Sequence, residues 1–328
     1  MTVAGEHADV VFAADGDGGR VALRRTAPRA AELYVTGDDP AALVRAAEGW
    51  CAANGIEYLH TLQADPLLEE LGFVPLEPPR LVKRVERGFS VFPLPGIPEL
   101  REGDDLAALV LERAELQDGD VVVVAQKAIS KVEGRVVRLD DVEPSARARE
   151  IAGDEGDPRR VEWILREAAR VVRVRAPLVI CETRHGFICA SAGVDQSNTP
   201  EDGTLVLLPL DPDGSADRLR ATLRERSGRD VGVLVTDSFG RPWRQGTTDV
   251  AIGAAGITVL QELTGEHDPI GYELKATVIA LADELAGAAQ LVSGKLDRNP
   301  VTIVRGLDVR GDGRATDIPI PPERDLFG

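Results

Sequence analysis

The sequence predicts a mixed α+β fold in two parts. Through most of the chain, strand-like and helix-like segments neither alternate strictly nor cluster by type, which is the pattern of an α+β protein. Six prolines between Pro75 and Pro98 interrupt regular structure and set a short strand–helix–strand region apart from the rest of the chain. A hydrophobic fraction of 43% with 28% charged residues gives 328 residues enough apolar mass for one large or two medium cores. The expected division is a small α/β module over residues 1–85, a main domain over 89–307 and a polar, loosely ordered tail over 308–328.

In the first part, Glu32–Val35 reads as a strand. Asp39-Pro40 starts a helix with Leu43, Ala46, Ala47 and Trp50 on one face, and Asn54-Gly55 ends it. A second strand spans Ile56–Leu62, and Asp65-Pro66 begins a short helix that closes at Leu71-Gly72-Phe73. In the main domain, Asp104–Leu116 has an amphipathic helical period and Val121–Val124 is a buried strand. Asp157-Pro158 is a helix start, followed by Val161, Ile164, Leu165 and Ala168 at helical spacing. Leu178–Cys181 and Phe187–Ala190 flank Arg184-His185-Gly186 as a hairpin. Leu219 and Leu223 mark a helix before the strand Val231–Val235, Glu273–Leu291 reads as one long Ala-rich helix, and Val301–Val304 as the last strand.

Charge narrows the function. The net charge of −17 (38 basic against 55 acidic residues) argues against nucleic acid as a partner, since broad binding to it needs basic surface. A small anion held by a local cluster remains compatible. The three cysteines form no CxxC pair, which argues against structural zinc; Cys181 and Cys189 sit in apolar runs and read as buried thiols. A reducing cytoplasm fits, the N-terminus lacks a signal-peptide layout, and no uncharged apolar stretch is long enough to span a bilayer.

Three clusters suit metal or phosphate. Lysine occurs only at 83, 127, 131, 275 and 295, yet Gln126-Lys127-Ala128-Ile129-Ser130-Lys131 holds two of the five directly after a buried strand. A helical turn there would put Lys127, Lys131 and Arg135 on one face, and lysine is a point-charge partner for phosphate. Asp195 and Asn198 follow the apolar run Phe187–Ala190, and Asp237-Ser238 follow Val231–Val235. Both acids are expected at strand ends where the chain turns, and hard oxygen ligands on two such platforms suit Mg2+ or Mn2+ with phosphate. A carboxylate and a hydroxyl at 237–238 can share such an ion. Arg241 and Arg244 lie just beyond, placed to stabilise charge on a transferred phosphoryl group. The plain alternative for each cluster is a solvated basic turn or a capping Asx residue. His185 and His267 read as surface residues and His60 as a packed one, and the spacing offers no Ser-His-Asp or Cys-His set.

Two resemblances extend this reading. The order of the first part, ending "ANGIEYLHTL…LLEELGF", resembles the second half of an N-acetyltransferase of the GNAT type. Its phosphate-binding turn would be Thr36-Gly37-Asp38-Asp39-Pro40, whose two acids repel a pyrophosphate, so a partial, non-catalytic module is expected. From about Phe89 to Leu307, "FPLPGIPELREGDDLAALV", "DGDVVVVAQKAISKVEGR", "SAGVDQSN", "LLPLDPDGSADRLR", "VGVLVTDSFGRPWRQG", "DVAIGAAG" and "VTIVRGL" resemble the coenzyme F-420 gamma-glutamyl ligase family. The likeness is greatest to the ligase half of the two-domain actinobacterial enzyme, and the sequence ends near where that enzyme's nitroreductase-like domain would begin.

The resemblance implies a mixed-sheet ligase domain and a homodimeric, GTP-dependent enzyme. That enzyme joins L-glutamate to the carboxylate of the F-420 precursor through an acyl phosphate and then adds gamma-linked glutamates. It implies metal ligands at Asp195, Asp237 and Ser238 for two divalent cations, Mg2+ or Mn2+, with K+ as a further candidate ion. It implies nucleotide contacts at Ile97, Pro98, Glu99, Leu100, Gln126, Lys127, Lys131 and Asn198. Lys131, Arg241 and Arg244 are the candidate catalytic residues, the two arginines chosen from their own chemistry as binders of the acidic substrates. Near the C-terminal end, a family region able to carry an acid reads Val292-Ser293-Gly294-Lys295-Leu296-Asp297, and Lys295 cannot ligate a cation. Two other readings stand beside the ligase: a nucleotide-binding scaffold without catalysis, and the same chemistry on another carboxylate acceptor.

Overall fold

The computed structural model describes residues 88–325 throughout and, before them, the strand residues 10–13, 20–27, 30–36, 58–61, 74–76 and 80–84. The chain divides into two compact units, one of residues 1–89 with 306–308 and one of 90–305 with 309–328.

Among the described residues the first unit carries six strands: β1 (Val10–Ala13), β2 (Arg20–Ala27), β3 (Ala30–Thr36), β4 (Tyr58–Thr61), β5 (Val74–Leu76) and β6 (Arg80–Arg84). They form one sheet in the order β1-β2-β3-β4-β6-β5, antiparallel except where β3 runs parallel to β4. Both expected strands coincide with β3 and β4. The two expected helices, Cys51 and most of the acidic turn at 36–40 lie outside the described residues.

The second unit is built on a mixed five-stranded sheet, as an α+β domain requires. Its strands are β7 (Ser90–Pro93), β8 (Val121–Ala125), β14 (Gly232–Arg241), β15 (Arg244–Ala255) and β18 (Val301–Arg305), in the order β15-β14-β8-β18-β7. Only β14 and β8 are parallel. Every side chain of Val121–Val124, Val233–Val235 and Val301–Val304 is buried. Each fully buried aliphatic of this kind is worth roughly 1.5–3 kcal/mol, so the three central strands are the rigid part of the unit. The end of β8 runs directly into helix α2 (Gln126–Val132), after α1 (Leu106–Leu111).

A second core lies under α3 (Ala146–Ala152), α4 (Pro158–Glu167) and the antiparallel sheet of β10 (Ala168–Arg175), β11 (Leu178–Thr183) and β12 (Ile188–Ala190). Asp157 caps α4 by accepting from Arg159 N, with Pro158 in its first turn, as the Asp-Pro pair predicts. Short β9 (Val136–Arg138) pairs with β13 (Thr204–Val206). Helix α5 (Pro212–Ser227) is capped by Asp211 and stopped by Gly228 in the left-handed region.

Four expectations are corrected. Helix α1 stops at Leu111, because Arg113 turns back to donate to the carbonyls of Leu109 and Gly96. The long helix expected from Glu273 begins only at Leu281, as α6 (Leu281–Ser293). The β-branched run Thr277-Val278-Ile279 is extended instead, and β17 (Val278–Ile279) pairs with β16 (Gln261–Glu262). Residues after Asp308 are not loose: Thr258 N donates to Val309 O, and the buried Asp213 carboxylate accepts from Ala254 N, Ala315 N and the Thr316 hydroxyl. Finally, Arg135 does not extend the Lys127–Lys131 face. The helix ends at Val132, Gly134 has φ +70, and Arg135 turns to Leu208 O and Glu167.

The β14–β15 hairpin has one irregularity near its base. Val235 faces Gly253 but Thr236 faces Ala251, so Ile252 is an extra residue on β15. Gly253 is required there, since a Cβ would lie 2.3 Å from Pro212 O.

Candidate active site

The site begins where the sheet narrows. β14 runs parallel to β8 only as far as Thr236, opposite Ala125. Beyond that point β8 becomes α2, while β14 continues five residues further, pairing among the described strands with β15 alone. Asp237 and Ser238 are the first residues of this arm. They are therefore inside a strand and not at its end, a correction to the expected turn.

From α2, Lys127 reaches across to the segment after β12. Its Nζ lies 2.5 Å from Asp195 Oδ2 and donates to Ser197 O (2.9 Å) and Ser197 Oγ (2.8 Å), so all three ammonium protons have acceptors. Asp195 is fixed by backbone bonds with Val206 in both directions and by Ser197 N, which donates to Oδ1 at 2.7 Å. Burial works to raise its carboxyl, but the hydrogen bonds from Lys127 and Ser197 outweigh it and hold Asp195 below the usual carboxylate range. The tight turn before it depends on Gly193, where φ is +71 and a Cβ would stand 2.5 Å from Leu208 Cγ. Asn198 is exposed and left-handed at φ +54, a conformation that asparagine tolerates.

Lys131, one turn further along α2, points to the loop after β7. Its Nζ is 2.5 Å from Glu99 Oε1. In that loop Ile97 and Leu100 are buried anchors, while Pro98 and Glu99 are exposed. Gln126 is 1% exposed; its Oε1 accepts from Ser130 Oγ, and its Nε2 is buried without a partner among the described residues.

Asp237 is the electrostatic centre. Desolvation pushes its carboxyl up to about 7, and the like charges of Asp195 and Asp249 add to that, against the Ser238 N–H and Lys127. Adjacent residues of a strand leave opposite faces. Asp237 feels Asp195, Lys127 and, more weakly, Asp249, whereas the Ser238 side chain makes the direct contact with Asp249, Oγ donating to Oδ1 at 2.6 Å. Asp249 and its partner Gln290 were not singled out by sequence. Their only signal is one acid midway along the apolar-rich β15, and the rest depends on cross-strand register and the docking of α6.

Arg241 and Arg244 face each other at the far end of the hairpin. Four strand steps separate Asp237 from Arg241, roughly 13 Å at about 3.3 Å per residue. The hairpin thus keeps both arginines apart from the acids. Arg241 donates to Gln245 O, and its Nε is buried without a partner among the described residues. Lys295 is exposed after α6 and bears on Asp249 through its charge. His185 is not a plain surface residue: its Nε2 lies 3.1 Å from Leu210 O and its ring packs near Phe187. Cys181 and Cys189 are buried, and desolvation pushes Cys189 up to about 12, so neither thiol is a nucleophile.

The donor set is hard oxygen throughout, and a carboxylate held ionised, Asp195, beside a desolvated one, Asp237, suits a cation. Among the described residues, no three His, Cys, Asp or Glu side chains are gathered to hold an ion by themselves. An ion here would complete its shell from a ligand's phosphate oxygens, as Mg2+ commonly does. No helix among the described residues is long and apolar enough to cross a membrane.

Comparison with known proteins gives a consistent relationship. The sequence profile of the family described as F420-0:Gamma-glutamyl ligase matches residues 96–306. A protein of Methanopyrus kandleri named coenzyme F420:L-glutamate ligase is 49% identical over 242 residues, covering 72% of this chain and 96% of the relative. Proteins of the same name from Methanothermobacter thermautotrophicus and Archaeoglobus fulgidus are 42% and 43% identical, each over 73% of this chain and over 99% and 96% of their own lengths. The matched span contains four of the five sheet strands (β8, β14, β15 and β18), α2, the Asp195 turn and the β14–β15 arm, and the chain belongs to the F420-0:gamma-glutamyl ligase family.

Proposed function

We propose that this protein is a GTP-dependent ligase that joins L-glutamate to the carboxylate of the F-420 precursor and extends the product with gamma-linked glutamate. Membership of the family supports the ligase activity and its two acidic substrates. The nucleotide and metal requirements rest on the site. The observation that carries them is the contact of Lys127 with Asp195 beside the desolvated Asp237, just past the C-terminal end of the β8–β14 pair.

The chemistry follows from the substrates. A carboxylate resists attack by an amine because oxide is a poor leaving group. Transfer of the γ-phosphoryl group of GTP to a carboxylate oxygen forms an acyl phosphate and releases GDP. The glutamate amine then attacks the acyl carbon, the C–O bond breaks, and inorganic phosphate leaves with the bonding pair. Divalent cations, when bound, supply the positive charge that screens the triphosphate.

This chain's own residues position and neutralise. Asp195 and Asp237 would hold one ion from the Lys127 side of β14, and Ser238 a second from the other face. Lys131 would release Glu99 to meet a phosphate oxygen, with Gln126, Asn198 and the 97–100 loop holding the nucleotide. Arg241 and Arg244, roughly 13 Å along the arm, suit the acidic groups of the acceptor or glutamate better than the transferred phosphoryl. The active species is a homodimer, which light scattering on the purified protein would test.

The decisive assay combines purified protein, GTP, Mn2+, L-glutamate and the F-420 precursor, read by mass spectrometry. A gain of one or more glutamyl units is expected, with GDP released in proportion. GTP binding without product would favour the scaffold reading, and turnover only with another carboxylate would move the acceptor. Asp237→Asn should abolish turnover with an unchanged circular dichroism spectrum. Arg241→Ala should raise KM for an acidic substrate; unaltered KM values for both would remove Arg241 from the site.

A further inference from the structure

The Ser238 hydroxyl has a fixed proton. Asp249 Oδ1 also accepts from the Gln290 amide and so carries no proton of its own, which gives the 2.6 Å contact between Ser238 Oγ and Asp249 Oδ1 one polarity: the serine donates. A hydroxyl that has committed its proton keeps both lone pairs for a second partner.

Asp249 is itself held from both sides. Gln290 Nε2 donates to Asp249 Oδ1 at 2.7 Å, and Asp249 N donates to Gln290 Oε1 at 3.1 Å. This double contact admits only one orientation of the Gln290 amide, because the backbone N–H requires the oxygen and the carboxylate requires the NH2. Gln290 sits on α6, whose buried Ala282, Leu285, Ala286 and Ala289 pack that helix onto the unit. The chain Gln290–Asp249–Ser238 therefore ties the hydroxyl to a packed helix instead of leaving it as a free rotor. Nothing in the core needs this arrangement, since all three side chains are only partly buried.

We propose that Asp249, clamped by Gln290, is a positioning residue that orients the Ser238 hydroxyl so that its lone pairs face a divalent cation. The proposal rests on the metal-site reading of Asp195, Asp237 and Ser238, and the roles are distinct: Ser238 touches the ion, while Asp249 makes its direct contact with Ser238 and acts chiefly through it. Partners of this kind typically carry about 10–100-fold in metal affinity.

The test is a double-mutant cycle on Mn2+ affinity, measured by electron paramagnetic resonance with a non-hydrolysable GTP analogue bound to the full chain. Ser238→Ala and Asp249→Ala should each weaken Mn2+ binding by about tenfold or more. The double variant should be no more than about threefold weaker than Ser238→Ala alone, since the lost function is the same. Ser238→Thr, which keeps a hydroxyl, should retain both the affinity and its sensitivity to Asp249→Ala. If Asp249→Ala misfolds, Gln290→Leu serves in the same cycle and should weaken Mn2+ binding in the same direction, with no effect in the Ser238→Ala background. Effects of Asp249→Ala and Ser238→Ala that multiply fully would overturn the proposal, as would unchanged affinity in Asp249→Ala. Asp237→Asn separates the two levels. If it weakens Mn2+ binding while Asp249→Ala does not, the positioning role alone fails; if no variant has any effect, the metal-site reading fails with it.

Discussion

Lys127 Nζ lies 2.5 Å from Asp195 Oδ2, and the two residues come from elements that share no strand. Lysine thereby supplies the positive charge that a bound ion would otherwise provide. Lys127→Met should leave Asp195 and Asp237 facing each other without compensation, at a cost of roughly 1–3 kcal/mol in the metal-free protein. Mn2+ with nucleotide should then raise the melting temperature of the variant by more than it raises that of the native protein. Equal increments by differential scanning fluorimetry would mean that the ammonium and the ion do not share the carboxylate.

Asp237 gives a pH signature. Its carboxyl is raised from 3.8 to about 7, so the folded state binds this proton more tightly than the unfolded state. The stabilisation it provides is fully present below pH 3.8 and is lost as pH rises through about 7. Asp237→Asn carries no charge at any pH and lacks this loss. In EDTA, the melting temperature of the variant minus that of the native protein should grow as pH rises from 3.8 to about 7 and then level off. A difference independent of pH would show that the acid is not raised.

Below the site, Arg305 joins β18 to the start of β8 through a two-pronged contact with Asp120, which is 1% exposed: Nε to Oδ1 at 2.8 Å and Nη2 to Oδ2 at 2.7 Å. Asp120 also accepts from Gln117 N. Asp120→Ala should cost about 3–5 kcal/mol, because it leaves a guanidinium and an amide without their acceptor. Arg305→Lys should cost less but still be measurable, since one ammonium cannot reproduce the fork. Urea denaturation of both variants checks the ranking; equal midpoints for Asp120→Ala and the native protein would refute it.

Asp213 organises the last described segment. It accepts from Ala254 N, Ala315 N and Thr316 Oγ1, so one side chain joins α5, β15 and the residues after Val309. Asp213→Ala should expose residues 309–325 to limited proteolysis and lower stability by roughly 2–4 kcal/mol, about 1–3 kcal/mol for each group left unsatisfied with partial relief from water. Cleavage at the native rate would show that the segment is held by other contacts.

The legible parts of the fold were those dictated locally. Val121–Val124, Val231–Val235 and Val301–Val304 read as buried strands because runs of valine do little else, and Asp157-Pro158 read as a helix start because both residues act at that one position. Asp195, Asp237, Lys127 and Lys131 stood out through residue type beside such strands; Lys127 meets Asp195 beside Asp237, while Lys131 pairs with Glu99 in the loop after β7. The extension of β14 through Phe239-Gly240-Arg241 was hidden by a Gly-Arg-Pro-Trp composition that reads as a turn. The start of α6 was misplaced because helical spacing over Glu273–Ile279 is overridden by pairing with β16. Asp249 and Gln290 were invisible for another reason: neither type nor spacing marks them, and they meet Ser238 only after a hairpin and a helix have docked.

The extra residue at Ile252 settles which side chain Ser238 meets. Continued without it, the ladder that pairs Val235 with Gly253 would have set Ser238 against Val250 and Asp249 against Phe239. Valine has nothing to accept a proton, and the hydroxyl would turn freely. The parity of one strand thus selects the chemistry available on the next: an insertion or deletion anywhere between Asp249 and Gly253 would exchange the two faces of the arm while leaving every residue of the site in the sequence.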